Sequence, residues 1–213
     1  MRRVFGGAIF DCDGLLVETE SRWKIAERRF VERHGGIYTE ALGTQLTGSS
    51  AAVTSRVLGG AVGWGESRYA ELVAELRADF HAVCDDLGVE AMPGAVALVT
   101  TLAERMPIAI ASNSAEESVR RNLALAGIPL LFRTVISAYN HPPKPAPDVY
   151  LAACDAIGVA ALSAVAFEDS RPGAAAARAA GMYVVGVPFN ADDVLDADTV
   201  VASLADVDID QLA

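Results

Sequence analysis

Two carboxylates follow the first apolar segment of the chain, in the run Phe10-Asp11-Cys12-Asp13-Gly14. Side chains at positions i and i+2 of an extended backbone point the same way, so Asp11 and Asp13 are expected to converge. Gly14 then allows the chain to turn away. Converging acids at the end of a strand are typical of a ligand site in an open α/β fold, although a solvated Asp-x-Asp-Gly turn has the same pattern.

A hydroxyl and an amide follow a second apolar segment, in Ile110-Ala111-Ser112-Asn113-Ser114. A hydroxyl just before a helix N-terminus suits an anion, because backbone N–H groups and the helix dipole add to the attraction. The simpler interpretation is a capping box, with Ser114 as N-cap and Glu117 three residues later. Capping accounts for Ser114 but leaves Ser112 and Asn113 unexplained.

Lys144 is one of only two lysines among the seventeen basic residues of the chain. The surrounding prolines, in Pro142-Pro143-Lys144-Pro145-Ala146-Pro147, restrict the backbone around it. A compact ammonium suits point-charge contact with a phosphoryl oxygen. A solvated loop lysine is the alternative.

A second pair of acids, Glu168 and Asp169, follows a further apolar segment. One acid at such a position is often a helix N-cap. Together with Asp11 and Asp13, however, these residues would form a cluster of like charge that requires a cation. Hard oxygen ligands favour Mg²⁺, so the sequence predicts a magnesium site.

The elements that must position these residues alternate between strand and helix. Alternation of this kind predicts a parallel sheet that is covered by helices on both faces. The apolar runs that predict strands cover residues 4–10, 108–111, 135–136, 164–167 and 182–187, and helical patterns cover 94–105, 114 onward, 147–157 and 172–180.

A helical insertion interrupts this α/β pattern after the first strand. Apolar stripes at helical spacing run through residues 20–34 and 66–87, with shorter glycine-broken helices between them. The prediction is an α/β core domain formed by 1–17 and 89–213, and a helical cap domain formed by 18–88. The acidic segment 190–213 is predicted to form an edge strand and a terminal helix.

Charge and composition limit the classes of partner. The formal net charge is -11, whereas a protein that binds nucleic acid or an anionic membrane normally presents a basic face. Neither nucleic acid nor an anionic membrane is therefore expected as a partner. A phosphorylated substrate would require local cations in this negatively charged chain. Three cysteines without metal-ligand spacing indicate a reduced, cytoplasmic compartment. Nothing in the sequence requires an oligomer, so a monomer is expected.

Taken together, the four motifs resemble the haloacid dehalogenase (HAD) superfamily, in the β-phosphoglucomutase and phosphatase-like subgroup that has a helical cap. The resemblance implies a Rossmann-like parallel sheet core with an inserted cap. It also implies roles for individual residues. Asp11 would be the nucleophile that forms an aspartyl-phosphate, and Asp13 the general acid and base. Lys144 would steady the nucleophile and the phosphate, which Gly14, Ser112 and Asn113 would also bind, and the Mg²⁺ site would be formed by Asp11, Asp13, Glu168 and Asp169.

Specificity is expected to lie in the cap, which would close over the site and exclude water. Thr19 and Glu20 match the start of the cap, where Glu18 replaces the family's aspartate. Trp23 and Thr19 are the main candidates for substrate contact, and the other candidates are Arg22, Thr47, Gly48, Ser49 and Arg56. For Trp23 and Arg56, packing and solvated surface are the alternatives.

The predicted function is a Mg²⁺-dependent phosphatase that acts on a small phosphorylated metabolite. The nearest alternative is a sugar phosphomutase, which resembles this chain except that Trp23 and Ala51 stand where such enzymes have histidine and arginine. Dehalogenases lack the acid at Asp13, and Lys24 does not match the imine-forming lysine of phosphonate-cleaving relatives. A non-catalytic phosphate-binding module is disfavoured because none of the site residues is lost.

Overall fold

The structure, a computed structural model, describes residues 4–47, 49–190 and 192–211. Gly48, one of the candidate cap residues, lies outside them. The strands are β1 (Gly7–Phe10), β2 (Val17–Glu18), β3 (Glu90–Ala91), β4 (Ile108–Ser112), β5 (Val135–Ser137), β6 (Ala164–Glu168), β7 (Tyr183–Gly186) and β8 (Thr199–Val200). The helices are α1 (Glu20–Arg33), α2 (Glu40–Leu46), α3 (Ala51–Val62), α4 (Tyr69–Leu87), α5 (Ala95–Arg105), α6 (Glu116–Leu125), α7 (Asp148–Ile157) and α8 (Arg171–Ala179).

A six-stranded sheet in the order β5-β4-β1-β6-β7-β8 forms the centre of the α/β region, and its strands pair in parallel. The strands β1, β4 and β6 are buried along their whole length. Continuous apolar strands are expected where helices cover both faces of a parallel sheet. The predicted α/β class with a Rossmann-like parallel sheet is confirmed.

The chain divides into two compact units, one formed by Met1–Glu18 with Glu90–Ala213 and the other by Thr19–Val89. The second unit is built from α1 to α4, and α4 buries the stripe that its spacing predicts, at Leu72, Leu76, Phe80 and Val83. The short strands β2 and β3 pair antiparallel where the chain leaves and re-enters the first unit. The function of the helical unit as a cap stays a prediction.

The C-terminal segment differs from the prediction in part. The edge strand is present as β8, but the predicted terminal helix is wrong for the residues described. Up to Gln211 the segment forms only short 3₁₀ turns, Leu204–Asp206 and Ile209–Gln211. Aspartate and β-branched residues alternate there, and both are weak helix formers. No helix in the described parts of the chain has the length and apolar character that a membrane crossing requires.

Candidate active site

Three adjacent strands bring the predicted site residues to one edge of the sheet. The strand β1 lies between β4 and β6, and Phe10 is in register with Ile110 on one side and Phe167 on the other. Asp11 follows β1 directly, while Ser112 ends β4 and Glu168 ends β6. Because parallel strands end at the same edge, the side chains that follow them meet although they are distant in sequence.

Lys144 joins two of these strand ends. Its Nζ donates hydrogen bonds to Asp11 Oδ1 at 2.5 Å and to Glu168 Oε1 at 2.6 Å. The Lys144 backbone N–H donates to Asn113 Oδ1 at 3.0 Å, which fixes the proline-rich loop against the end of β4. The Lys144 side chain is only 3% exposed, so the interpretation as a solvated loop lysine is wrong.

Burial and charge act in opposite directions on this lysine. Burial by itself lowers the pKa of Lys144, but the carboxylates of Asp11 and Glu168 raise that pKa above its ordinary value. The ammonium is therefore charged at neutral pH, and it is a fixed cation beside the Asp11 carboxylate. A phosphate site in a chain of net negative charge requires a local cation, and Lys144 is such a cation.

Asp11 has an unusual acidity for an aspartate. Burial, together with the charges of Glu168 and Asp13 and against the lowering effect of Lys144, raises the pKa of Asp11 to about 7. A second cation near the carboxylate would favour its ionised form. The charge of the Asp11 carboxylate therefore depends on the cations that lie beside it.

An acidic cluster at this edge fits a divalent cation. One carboxylate oxygen from each of Asp11, Glu168 and Asp169 lies within 4.8 Å of the other two, and all three residues are buried. Lys144 supplies one positive charge against these three carboxylates, and buried carboxylates repel one another unless cations offset their charge. Gly14 has φ +84°, and a Cβ at this position would overlap Asp169 Oδ2. Any other residue at position 14 would therefore displace the Asp169 carboxylate. An all-oxygen set is typical of Mg²⁺ or Ca²⁺ sites.

Ser114 has a different partner from the one predicted. The helix α6 begins at Glu116 with Ala115 as its N-cap and without a side-chain capping bond, so the capping box of Ser114 and Glu117 is wrong. The Ser114 hydroxyl instead donates to Asp13 Oδ2 at 2.6 Å. The Ser114 backbone N–H donates to Ser112 Oγ at 3.0 Å. The loop after β4 therefore holds both the Asp13 carboxylate and the Ser112 hydroxyl.

Sequence reasoning missed two further side chains that contact Glu168. The Tyr150 hydroxyl donates to Glu168 Oε1 at 2.5 Å, and Ser170 donates to Oε2 through its hydroxyl at 3.1 Å and its backbone N–H at 3.3 Å. Burial, with a smaller effect of Glu168, raises the pKa of Tyr150 well above its ordinary value, so the phenol keeps its proton. The only signal for Tyr150 is its position in the first turn of the helix that follows the Lys144 loop.

The predicted substrate-binding residues Thr19 and Trp23 belong to the helical unit, whereas the acidic cluster belongs to the α/β unit. Thr19 is fully buried, and the Trp23 ring stacks on Phe80 with the ring centroids 3.8 Å apart. Arg22 donates through Nε to the Gly88 carbonyl oxygen at 3.0 Å. The stacking supports the packing interpretation of Trp23, and the substrate contacts of Thr19 and Trp23 stay predictions.

Comparison with known proteins finds a family model and relatives that match most of this chain. A family model described as a haloacid dehalogenase-like hydrolase matches residues 5–181. The chain is 31% identical over 206 residues to validoxylamine A 7'-phosphate phosphatase of Streptomyces hygroscopicus subsp. limoneus, and the match covers 94% of each protein. It is 33% identical over 199 residues to fructose-1-phosphate phosphatase YqaB of Escherichia coli (strain K12), which covers 86% of this chain and 96% of that protein.

The fold has solved counterparts. The crystal structure of β-phosphoglucomutase from Clostridium difficile superposes with a TM-score of 0.81, covering 94% of this chain and 92% of that one at 23% identity. At this identity the likeness concerns the fold.

Proposed function

Because the chain belongs to the haloacid dehalogenase-like hydrolase family, we propose that it is a Mg²⁺-dependent phosphatase acting through an aspartyl-phosphate on Asp11. The family and the relatives named as phosphatases make it a phosphoric monoester hydrolase. The observation that carries the finer proposal is the buried Asp11 carboxylate, which Lys144 holds at 2.5 Å within the acidic cluster. The substrate is a small phosphorylated metabolite, such as a sugar phosphate.

The first step transfers the phosphoryl group to Asp11. A carboxylate oxygen of Asp11 forms a bond to phosphorus while the bond from phosphorus to the ester oxygen breaks. Asp13 gives its proton to the departing oxygen, so the alcohol leaves neutral and Asp13 becomes a carboxylate. The charged Lys144 offsets the repulsion between the anionic nucleophile and the anionic phosphate.

The second step releases inorganic phosphate. Water attacks phosphorus, the bond from phosphorus to Asp11 breaks, and Asp13 accepts the proton of the water. The Ser114 hydroxyl, 2.6 Å from Asp13 Oδ2, supports this role because it fixes the carboxylate that moves the proton. Ser112 and Asn113 would bind the phosphoryl oxygens, with Gly14 allowing the backbone to turn beside them.

The metal site would be formed by the Asp11 and Asp169 carboxylates and by Asp13 through its backbone carbonyl, with Glu168 beside them. The donor set supports Mg²⁺ because it offers oxygen ligands alone. When bound, Mg²⁺ supplies charge that stabilises the transferring phosphoryl group and the ionised form of Asp11.

The choice of a phosphatase over a phosphomutase rests on the relatives. The names of two full-length relatives specify hydrolysis of small esters, validoxylamine A 7'-phosphate and fructose 1-phosphate. The mutase counterpart is alike in fold at 23% identity. These names support a phosphorylated sugar or a similar metabolite as the substrate of this chain.

A screen of phosphate esters with and without Mg²⁺ tests the proposal. We expect phosphate release from at least one sugar phosphate, dependent on Mg²⁺, and a phosphoryl group on the peptide containing Asp11 after rapid quenching and mass spectrometry. A coupled assay for interconversion of hexose phosphates separates a mutase from a phosphatase. Interconversion without net phosphate release, or a phosphoryl group on a different residue, would contradict the proposal.

A further inference from the structure

We propose that Tyr150 is a positioning residue that holds Glu168, and through it Lys144, in the geometry that phosphoryl transfer to Asp11 requires. This inference rests on the proposed function. Tyr150 lies in α7 and is fully buried. Its hydroxyl donates to Glu168 Oε1 at 2.5 Å, and Lys144 Nζ lies 5.0 Å from the centroid of its ring. The Tyr150 side chain thus lies beside both members of the ion pair between Lys144 and Glu168.

The Glu168 carboxylate is held from two sides. Tyr150 and Lys144 donate to Oε1, whereas the hydroxyl and the backbone N–H of Ser170 donate to Oε2. Two carboxylate oxygens offer about four lone-pair directions, so four donors leave the group little freedom to rotate. A Cβ at Gly173 would overlap the same carboxylate, so α8 also packs closely against it.

A fixed Glu168 fixes Lys144 as well. Lys144 Nζ divides its hydrogen bonds between Asp11 and Glu168, which lie on neighbouring strand ends. If Oε1 lost the Tyr150 donor, the ammonium would be the only donor left to it, and the attraction to Glu168 would compete with the contact to Asp11. The Tyr150 hydroxyl therefore keeps the ammonium shared between the nucleophile and its anchor.

Packing alone does not explain a tyrosine at this position. The core around α7 is apolar, and its members include Ile9, Ala153 and Ala166. A phenylalanine ring would fill the same volume, whereas a buried hydroxyl is costly unless it is hydrogen-bonded. The bond that satisfies the Tyr150 hydroxyl ends on a charged residue of the site, which points to a role in positioning.

Tyr150→Phe tests the inference because it removes the hydroxyl and keeps the ring. We expect kcat for ester hydrolysis to fall about tenfold, with KM changed less than about twofold, because the contact aims a charge at the reacting group. The melting temperature should stay near that of the wild type, since Glu168 keeps three donors. Tyr183→Phe is the matched control, because that hydroxyl is bonded to Thr199 Oγ1 at 2.6 Å in β7 and β8. It should leave kcat unchanged.

A second measurement reports on Lys144 without using activity. The chain has two lysines, so ¹H–¹⁵N spectra of the ammonium groups give few signals, and Lys24→Arg assigns them. We expect the Lys144 signal to exchange with water faster in Tyr150→Phe than in the wild type or in Tyr183→Phe. Equal kcat and equal exchange in Tyr150→Phe and wild type would overturn the inference. A wild-type protein that hydrolyses no ester would instead overturn the proposed function, while the exchange rates would still report whether Tyr150 holds Lys144.

Discussion

Two buried carboxylates, one in each unit of the molecule, have a pKa raised by burial to the same value but lie among different neighbours. Burial raises the pKa of Asp11 in the α/β unit and the pKa of Glu27 in the helical unit, each to about 7. Asp11 lies among further acids and is paired with Lys144. Glu27 instead accepts a hydrogen bond from the neutral hydroxyl of Tyr38 at 2.8 Å, and the charge of Lys24 has a smaller lowering effect on its pKa. Burial is therefore the main cause of both raised pKa values, whereas the neighbouring groups decide whether the carboxylate can take part in a reaction.

The largest expected difference between the two acids is in activity. Asp11→Asn and Glu27→Gln both replace a carboxylate by an amide of the same shape. We expect Asp11→Asn to lower kcat by roughly 10⁴-fold or more, because an amide cannot form the acyl-phosphate. Glu27→Gln should retain wild-type kcat. Phosphate release under saturating ester and Mg²⁺ is the measurement, and substantial turnover by Asp11→Asn would remove Asp11 from the mechanism.

Removing the cation should affect stability in the α/β unit strongly. Lys144→Met leaves Asp11 and Glu168 buried without their shared ammonium, so the free energy of unfolding should fall by about 3–5 kcal/mol. Lys24→Met is the matched control in the helical unit, because Lys24 is exposed, and its effect should stay within about 0.5 kcal/mol. Urea denaturation measures both, and equal losses would contradict the assignment of Lys144 as the central cation.

Glu27 should make stability depend on pH in the opposite sense to an ordinary paired acid. Its raised pKa means that the folded state binds the proton more tightly than the unfolded state, whose pKa is near 4.5. Its contribution is therefore complete below about pH 4.5 and is lost as the pH rises to about 7, amounting to about 3 kcal/mol.

Glu27→Gln isolates this effect. The variant should match the wild type near pH 4 and exceed it in unfolding free energy above pH 7, because the amide oxygen still accepts from Tyr38 without ionising. Glu32→Gln, an exposed glutamate of the same helix, should show the wild-type pH dependence. If Glu27→Gln and the wild type keep a constant difference across this range, Glu27 does not titrate near neutral pH.

The smallest expected effect is the stabilisation by Mg²⁺, which should depend on the α/β unit alone. Mg²⁺ at about thirty times its dissociation constant should raise the free energy of unfolding by about 2 kcal/mol, through binding to the folded acidic cluster. Asp169→Asn should abolish this increase, whereas Asp155→Asn, at an exposed position of α7, should keep it. Thermal denaturation at constant ionic strength measures the shift, and an unchanged response in Asp169→Asn would contradict the proposed metal site.

Local patterns predicted most of the fold and several of the residues that meet at the edge of the sheet. The apolar runs before Asp11, Ser112 and Glu168 became β1, β4 and β6, because a buried parallel strand must be apolar on both faces. The glycine after α7 is left-handed at Gly158, as a helix end requires. The failures were Ser114, where a tertiary bond to Asp13 replaced the predicted cap, and the terminal helix, where weak helix formers made short turns.

The sequence by itself determined which side chains end each strand, since periodicity and turn residues act over a few neighbours. Only the tertiary structure decided which donor meets which acceptor. Lys144 and Asp11 are 133 residues apart, and Ser114 and Asp13 are 101 apart. Such bonds depend on the register of β4, β1 and β6 and on the packing of α7, which brings the Tyr150 hydroxyl to Glu168. No local pattern encodes these distances.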